Sequence, residues 1–161
     1  MNATKFVADA MKTRTLAKRE VEAQPFRSVW NAYVDLLAME RYQDLTEEQR
    51  PAHLVFWYES EVQNGGHLQY FQNRGTAHLE ETLDALGLLE ATCQAQVLRE
   101  AKEVLLGCKR QPIETVDEFV AAALEGEFSA FDSRFYACSP SLQKCLEVYL
   151  FRHPSAFVTI I

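Results

Sequence analysis

The chain has 161 residues, 48% of them hydrophobic and 11% aromatic, which fits one folded domain with a substantial core and not a disordered chain. Its net charge of −7 is uneven: residues 1–24 carry +2, from Lys5, Lys12, Arg14, Lys18 and Arg19 against Asp9, Glu20 and Glu22, which leaves −9 on the rest. Direct nucleic-acid binding is not expected on that balance, because phosphate neutralisation needs clustered Lys and Arg, whereas an acidic body can attract a basic protein surface.

Residues 1–24 read as a loosely tied amphipathic arm, since Phe6, Val7, Met11 and Leu16 give only a thin apolar stripe. The helical domain proper spans residues 25–161. Pro25, tolerated as a first helical residue, precedes Phe26, Val29, Trp30, Tyr33, Leu36 and Leu37 at helical spacing. Thr46 and Gln49 have the spacing of a capping box, and Pro51 opens the main helix. Leu54, Trp57, Tyr58, Glu61 and Val62 share a face until Asn64-Gly65-Gly66 ends it. His67, Tyr70 and Phe71 continue as a short helix that Gly75 stops, with Gln69 and Asn73 on another face.

Thr76 is positioned to cap a helix through Leu79, Leu83 and Leu86 that ends at Gly87, and another runs from about Ala91 to Leu106. Thr115 with Glu118 is a capping box for a helix whose apolar positions are Val116, Phe119, Val120 and Leu124, closed by Gly126. Phe128, Phe131, Phe135 and Tyr136 read as an aromatic-rich turn. Ser139-Pro140 starts the last helix, with Leu142, Leu146, Tyr149 and Leu150 inward, and His153-Pro154 ends it. Only the tail from Phe157 to Ile161 has strand character, so the expectation is an all-α single domain of about seven helices.

No apolar run approaches the roughly 18 residues that span a bilayer, and the N-terminus lacks the apolar stretch of a secretion signal. The four cysteines, Cys93, Cys108, Cys138 and Cys145, form no CxxC pair. With His53, His67, His78 and His153 they show no zinc-ligand spacing. They read as free thiols in a reducing cytoplasm, with neither metal nor cofactor expected.

Candidate chemistry centres on the glycine corner, where Glu61, Asn64, His67, Gln69 and Asn73 could meet. A carboxylate beside an imidazole can do acid–base work, and these five side chains could line a polar pocket for a small ligand or an enzyme reaction. No nucleophile, phosphate loop or metal cluster accompanies them, so the plainer expectation is that they satisfy helix ends while His67 packs inside. The acidic groups Glu80-Glu81-Asp84, Asp117-Glu118 and Glu125-Glu127 lie on or beside helix faces opposite the apolar positions. They read as solvated faces that could also present carboxylates, phosphate-like, to a basic partner.

The run from Glu61 to Gly75, with Asn64-Gly65-Gly66-His67, Gln69-Tyr70-Phe71, Asn73 and Gly75, resembles the E-V-x-N-G-G-[F/H]-x-Q-[Y/F]-F-x-N-x-x-G signature of a bacterial all-α family of unknown function that includes the Neisseria DNA mimic, with one residue instead of two before the last glycine. Thr82 to Leu86, Phe131-Asp132, Phe135-Tyr136, Tyr149 and His153 to Phe157 extend the likeness over roughly residues 25–157. The resemblance implies a non-enzymatic, acidic interaction protein, a homodimer whose partner is a basic or DNA-binding transcription regulator. It carries over no partner-binding residue, because the acidic surface is not part of the signature. His67 stands where phenylalanine is common.

Overall fold

The computed structural model describes residues 12–161. Phe6, Val7 and Met11 of the N-terminal arm lie outside the described residues. In chain order the elements are β1 (Arg14–Leu16), α1 (Lys18–Ala23), α2 (Pro25–Met39), a 3₁₀ turn (Tyr42–Asp44), α3 (Arg50–Arg74) and α4 (Leu79–Leu88). They continue with α5 (Thr92–Leu106), α6 (Val116–Glu125), α7 (Ser129–Ala137), α8 (Leu142–Arg152), α9 (Pro154–Phe157) and β2 (Val158–Ile160). The fold is all-α: 72% of it is helical, and seven of the nine described helices have at least seven residues.

Helix α3 is the axis of the molecule, and α2, α4, α7 and α8 all contact it. Tyr33, Leu36 and Leu37 of α2 are fully buried with Val55 and Tyr58 of α3, Leu86 of α4, Leu98 of α5 and Phe157 of α9. Burying each such side chain contributes roughly 1.5–3 kcal/mol. Prolines open helices here as local chemistry requires: Pro25 begins α2 and Pro51 lies in the first turn of α3, where the missing N–H costs nothing.

Thr46 and Gln49 bond reciprocally just before α3: the Thr46 N–H donates to Gln49 Oε1 at 3.1 Å and the Gln49 N–H donates to Thr46 Oγ1 at 3.3 Å. The amide of Gln49 does more than cap. It donates to the carbonyls of Lys12 (2.6 Å) and Ala156 (2.7 Å), tying the two ends of the described chain to the start of α3. The same ends pair as a parallel two-stranded ribbon, Arg14 opposite Val158 and Leu16 opposite Ile160. Arg14 is held by Asp35 and Glu40 of the neighbouring helix end. The strand character of the tail was legible; its partner strand at Arg14–Leu16 was not.

Several local expectations change. Phe128 to Tyr136 is not a turn: Phe131 and Phe135, four apart, give α7 one apolar face, and Phe135 is buried. Helix α4 begins under His78 and not Thr76, with no side-chain cap; the Thr76 carbonyl only accepts from the Leu79 N–H. Helix α8 starts at Leu142 under Ser141, whose hydroxyl accepts from the Lys144 N–H at 3.2 Å.

Helix α6 forms as its capping box and Gly126 predict, yet it buries no residue. Val116, Val120 and Leu124 are exposed, because α6 lies outside the bundle of helices around α3; Arg110 anchors the chain after it through Glu127. The cysteine reading is also corrected. Cys93 and Cys138 form a disulfide, brought together across 45 residues where α5 meets α7, and only Cys108 and Cys145 are free. Sequence spacing alone cannot reveal such a pairing, and the cysteines no longer speak for a reducing compartment.

Candidate functional site

The glycine corner is a kink inside α3. Gly65 (φ −154°, ψ 23°) and Gly66 (φ 72°, ψ −174°) leave helical geometry, and the chain resumes its helix at once. In an unbroken helix, residues eight and twelve apart are separated by about 12 and 18 Å along the axis. The kink folds that distance away. Glu61, 7% exposed, accepts from Gln69 Nε2 (2.9 Å), Asn73 Nδ2 (2.9 Å) and Arg74 Nε (3.0 Å). A nearly buried carboxylate needs that many donors to offset its lost hydration.

Gly66 also lets a carboxylate approach the backbone. A methyl group there would sit 2.5 Å from Asp132 Oδ2, and the positive φ disfavours any side chain. Asp132, on α7, uses Oδ1 to accept from the His67 backbone N–H (2.8 Å) and from its Nδ1–H (2.7 Å). That arrangement leaves His67 Nε2 to accept the hydroxyl proton of Tyr58 at 2.8 Å. Burial pushes the Tyr58 phenol well above its ordinary range, so it remains a donor.

A carboxylate–imidazole–phenol chain can relay protons where substrate reaches it. Here the His67 and Tyr58 side chains are fully buried among Tyr70, Phe71, Phe131 and Phe135. The chain therefore fixes the angle between the two halves of α3 and pins α7 against it. Of the five pocket candidates, Glu61, Gln69 and Asn73 converge, His67 faces the opposite network, and Asn64 is exposed with no side-chain bond. Tyr70 and Phe71 belong to the aromatic core, and Gly75 (φ 61°) ends α3. Asp132 and Arg74, which complete the corner, were named by no spacing rule; Asp132 lies 65 residues from its partner.

A family model described as DMP19-like protein matches residues 43–153, more than half of the chain and the whole of the kinked helix. The chain belongs to the DMP19-like protein family. That is the family of the Neisseria DNA mimic, which the glycine signature had suggested. No curated protein and no solved structure matches the chain.

The carboxylates that a DMP19-like protein could present fall into two patches. Glu80, Glu81 and Asp84 lie on α4; Asp117, Glu118 and Glu125 lie on α6 with Glu127 just after it. Helix α4 contacts α3 and α5, and α6 packs closely on neither. Much of this charge is compensated. Glu80 pairs with Lys102, Glu127 with Arg110, and Glu81 stands 3.8 Å from His78. Glu118 accepts from the N–H groups of Glu114 and Thr115, which holds its carboxyl below the usual range. Among the described residues, Asp84, Asp117 and Glu125 keep carboxylates with no bonded partner. Glu47, not singled out in the sequence, joins Glu81 and Asp84 along one shallow groove that Arg50 also borders.

Within the described residues no helix is long and apolar enough to cross a membrane.

Proposed function

We propose that this DMP19-like protein is a non-enzymatic, acidic interaction domain that occupies the DNA-contacting surface of a basic regulator, as a homodimer. The observation that carries the reading is the family match over residues 43–153, joined to a net charge of −7. Two further features support it. The acid–base groups of the kink are enclosed or saturated by one another. The uncompensated carboxylates lie outside, on α4 and α6, with Glu47 extending the first patch.

The mechanism is competition. Carboxylates meet the Arg and Lys side chains that would otherwise contact phosphates, so the affinity falls steeply as salt rises. A pull-down with the full chain, eluted by a salt gradient and identified by mass spectrometry, tests this. The expected result is a DNA-binding protein held at low salt, released at high salt and displaced by duplex DNA. Recovery of no basic or DNA-binding protein at low salt would overturn the reading.

A further inference from the structure

On the side of α3 away from Asp132, the end of α2, the 3₁₀ turn, the two halves of α3 and the start of α4 enclose a cavity of about 360 Å³. Its walls include Tyr42, His53, Trp57, Tyr70, Arg74 and His78. This volume lies in the range of small-molecule sites, and such sites are typically aromatic surfaces with a few placed polar groups.

Two of those polar groups lack partners among the described residues. Arg74 uses only Nε, on Glu61, while its guanidinium lies over the Trp57 ring at 3.8 Å. Its two terminal nitrogens make no hydrogen bond. His53 is 8% exposed, and its Nδ1 has no hydrogen-bond partner. Only His53 Nδ1 is buried, and a buried polar atom without a partner is uncommon in a folded protein. The Arg74 side chain is 36% exposed, and its terminal nitrogens are open to solvent and cavity alike.

The charge around the cavity is selective. Glu40, the one carboxylate on its wall, is already held by Arg14 and Lys12. Arg41, also on the wall, pairs with Asp44 through Nε alone. Burial, reinforced by the nearby Arg74 and His78, lowers His53 to about 4, so it is an uncharged partner near neutral pH. What remains available is a guanidinium fork that matches a carboxylate bidentately, set among rings that stack on a flat molecule.

We propose that this cavity is a binding site for a small aromatic carboxylate, whose ring stacks among Trp57, Tyr42 and His78 and whose carboxylate accepts from Arg74. The cavity borders the groove of Glu47, Glu81 and Asp84, sharing Tyr42 and Leu54 with it, but the proposal does not depend on the interaction reading.

The test uses the full chain and 4-fluorobenzoate, followed by ¹⁹F NMR and calorimetry, with 4-fluorobenzamide as the uncharged control. Saturable one-to-one binding is expected, weaker for the amide by on the order of tenfold, the worth of a charge-assisted pair. Arg74→Met keeps the stack on Trp57 but loses the fork, and should weaken 4-fluorobenzoate by a similar factor, on the order of tenfold. Because Arg74 also serves Glu61, a second variant, Ala38→Phe, fills the cavity from α2 without touching that pair and should abolish binding. Equal affinity for acid and amide, unchanged binding by either folded variant, or no binding at millimolar ligand would each overturn the proposal.

Discussion

The two sides of the kinked half of α3 treat their polar groups in opposite ways. At the kink itself, Glu61 has three donors from α3, and His67, turned toward α7, makes three hydrogen bonds. On the side facing the 3₁₀ turn, His53 Nδ1 and the terminal nitrogens of Arg74 have none among the described residues. Arg74 belongs to both sides: its Nε completes the first network and its fork lines the second. The contrast separates two uses of a polar side chain beside the core. A closed network fixes shape, whereas an open one has capacity for something else.

The contrast breaks most severely if α7 is released. The Cys93–Cys138 bond closes a loop of 45 residues and holds α7, with Asp132, against α5. Chain entropy alone assigns such a loop about 4 kcal/mol. Replacing both cysteines by serine should lower the unfolding free energy by that order, read by chemical denaturation. Amide exchange at His67 should accelerate more than exchange in the helix turn carrying His53. Equal acceleration on both sides would mean that α7 does not govern the corner.

Gly66→Ala strikes the corner directly. It combines a positive φ with a methyl group against Asp132, so a loss of about 3 kcal/mol is expected. Gly87→Ala is the control, since that glycine is helical and faces open space. It should be neutral or stabilising by roughly 0.5–1 kcal/mol. Similar losses at both positions would remove the special status of the kink.

The open side makes itself known through pH. His53 is lowered from 6.5 to about 4, chiefly by burial and further by Arg74 and His78, while the Glu40 carbonyl nearby favours the charged form. The unfolded chain therefore takes up a proton near pH 6.5 that the folded chain refuses until about pH 4. Stability is complete above pH 6.5 and falls as the pH drops through that window, by about 2 kcal/mol between pH 7.5 and pH 5. Denaturation curves of His53→Gln should lose this slope. Retention of the full slope would assign it to other groups.

What could be read beforehand follows the range of the forces. Thr115 with Glu118, Gly126, Pro25 and Pro51 act within one helical turn, so their residue types announce them. The glycine signature was legible as a corner and as a family, because Gly66 needs its φ locally. Its physical purpose was not legible, since Asp132, the group that needs the missing Cβ, arrives with α7. The disulfide, the β1–β2 pairing and the cavity likewise depend on elements that meet only in the fold. Helix α6 shows the converse error: Val116, Val120 and Leu124 have the period of a buried face, and no neighbour covers them. Periodicity reports that a face is apolar, not that anything covers it.

The smallest effect on the fold should be the most informative about the partner. Asp84, Asp117 and Glu125 are the carboxylates of the sequence-assigned surface with no bonded partner among the described residues. Replacing all three by lysine removes no hydrogen bond of the described structure, so stability should change by less than about 0.5 kcal/mol per site. The net charge shifts from −7 to −1. A basic partner that reads this surface should then bind more weakly at low salt, with a shallower dependence of affinity on salt concentration, because fewer ion pairs are at stake. The paired set Glu80, Glu118 and Glu127 supplies the discriminating comparison. Glutamine at those positions should cost stability through Lys102, the Thr115 cap and Arg110, while affecting the salt dependence less. If both sets altered binding equally, total charge and not the open carboxylates would be what the partner recognises.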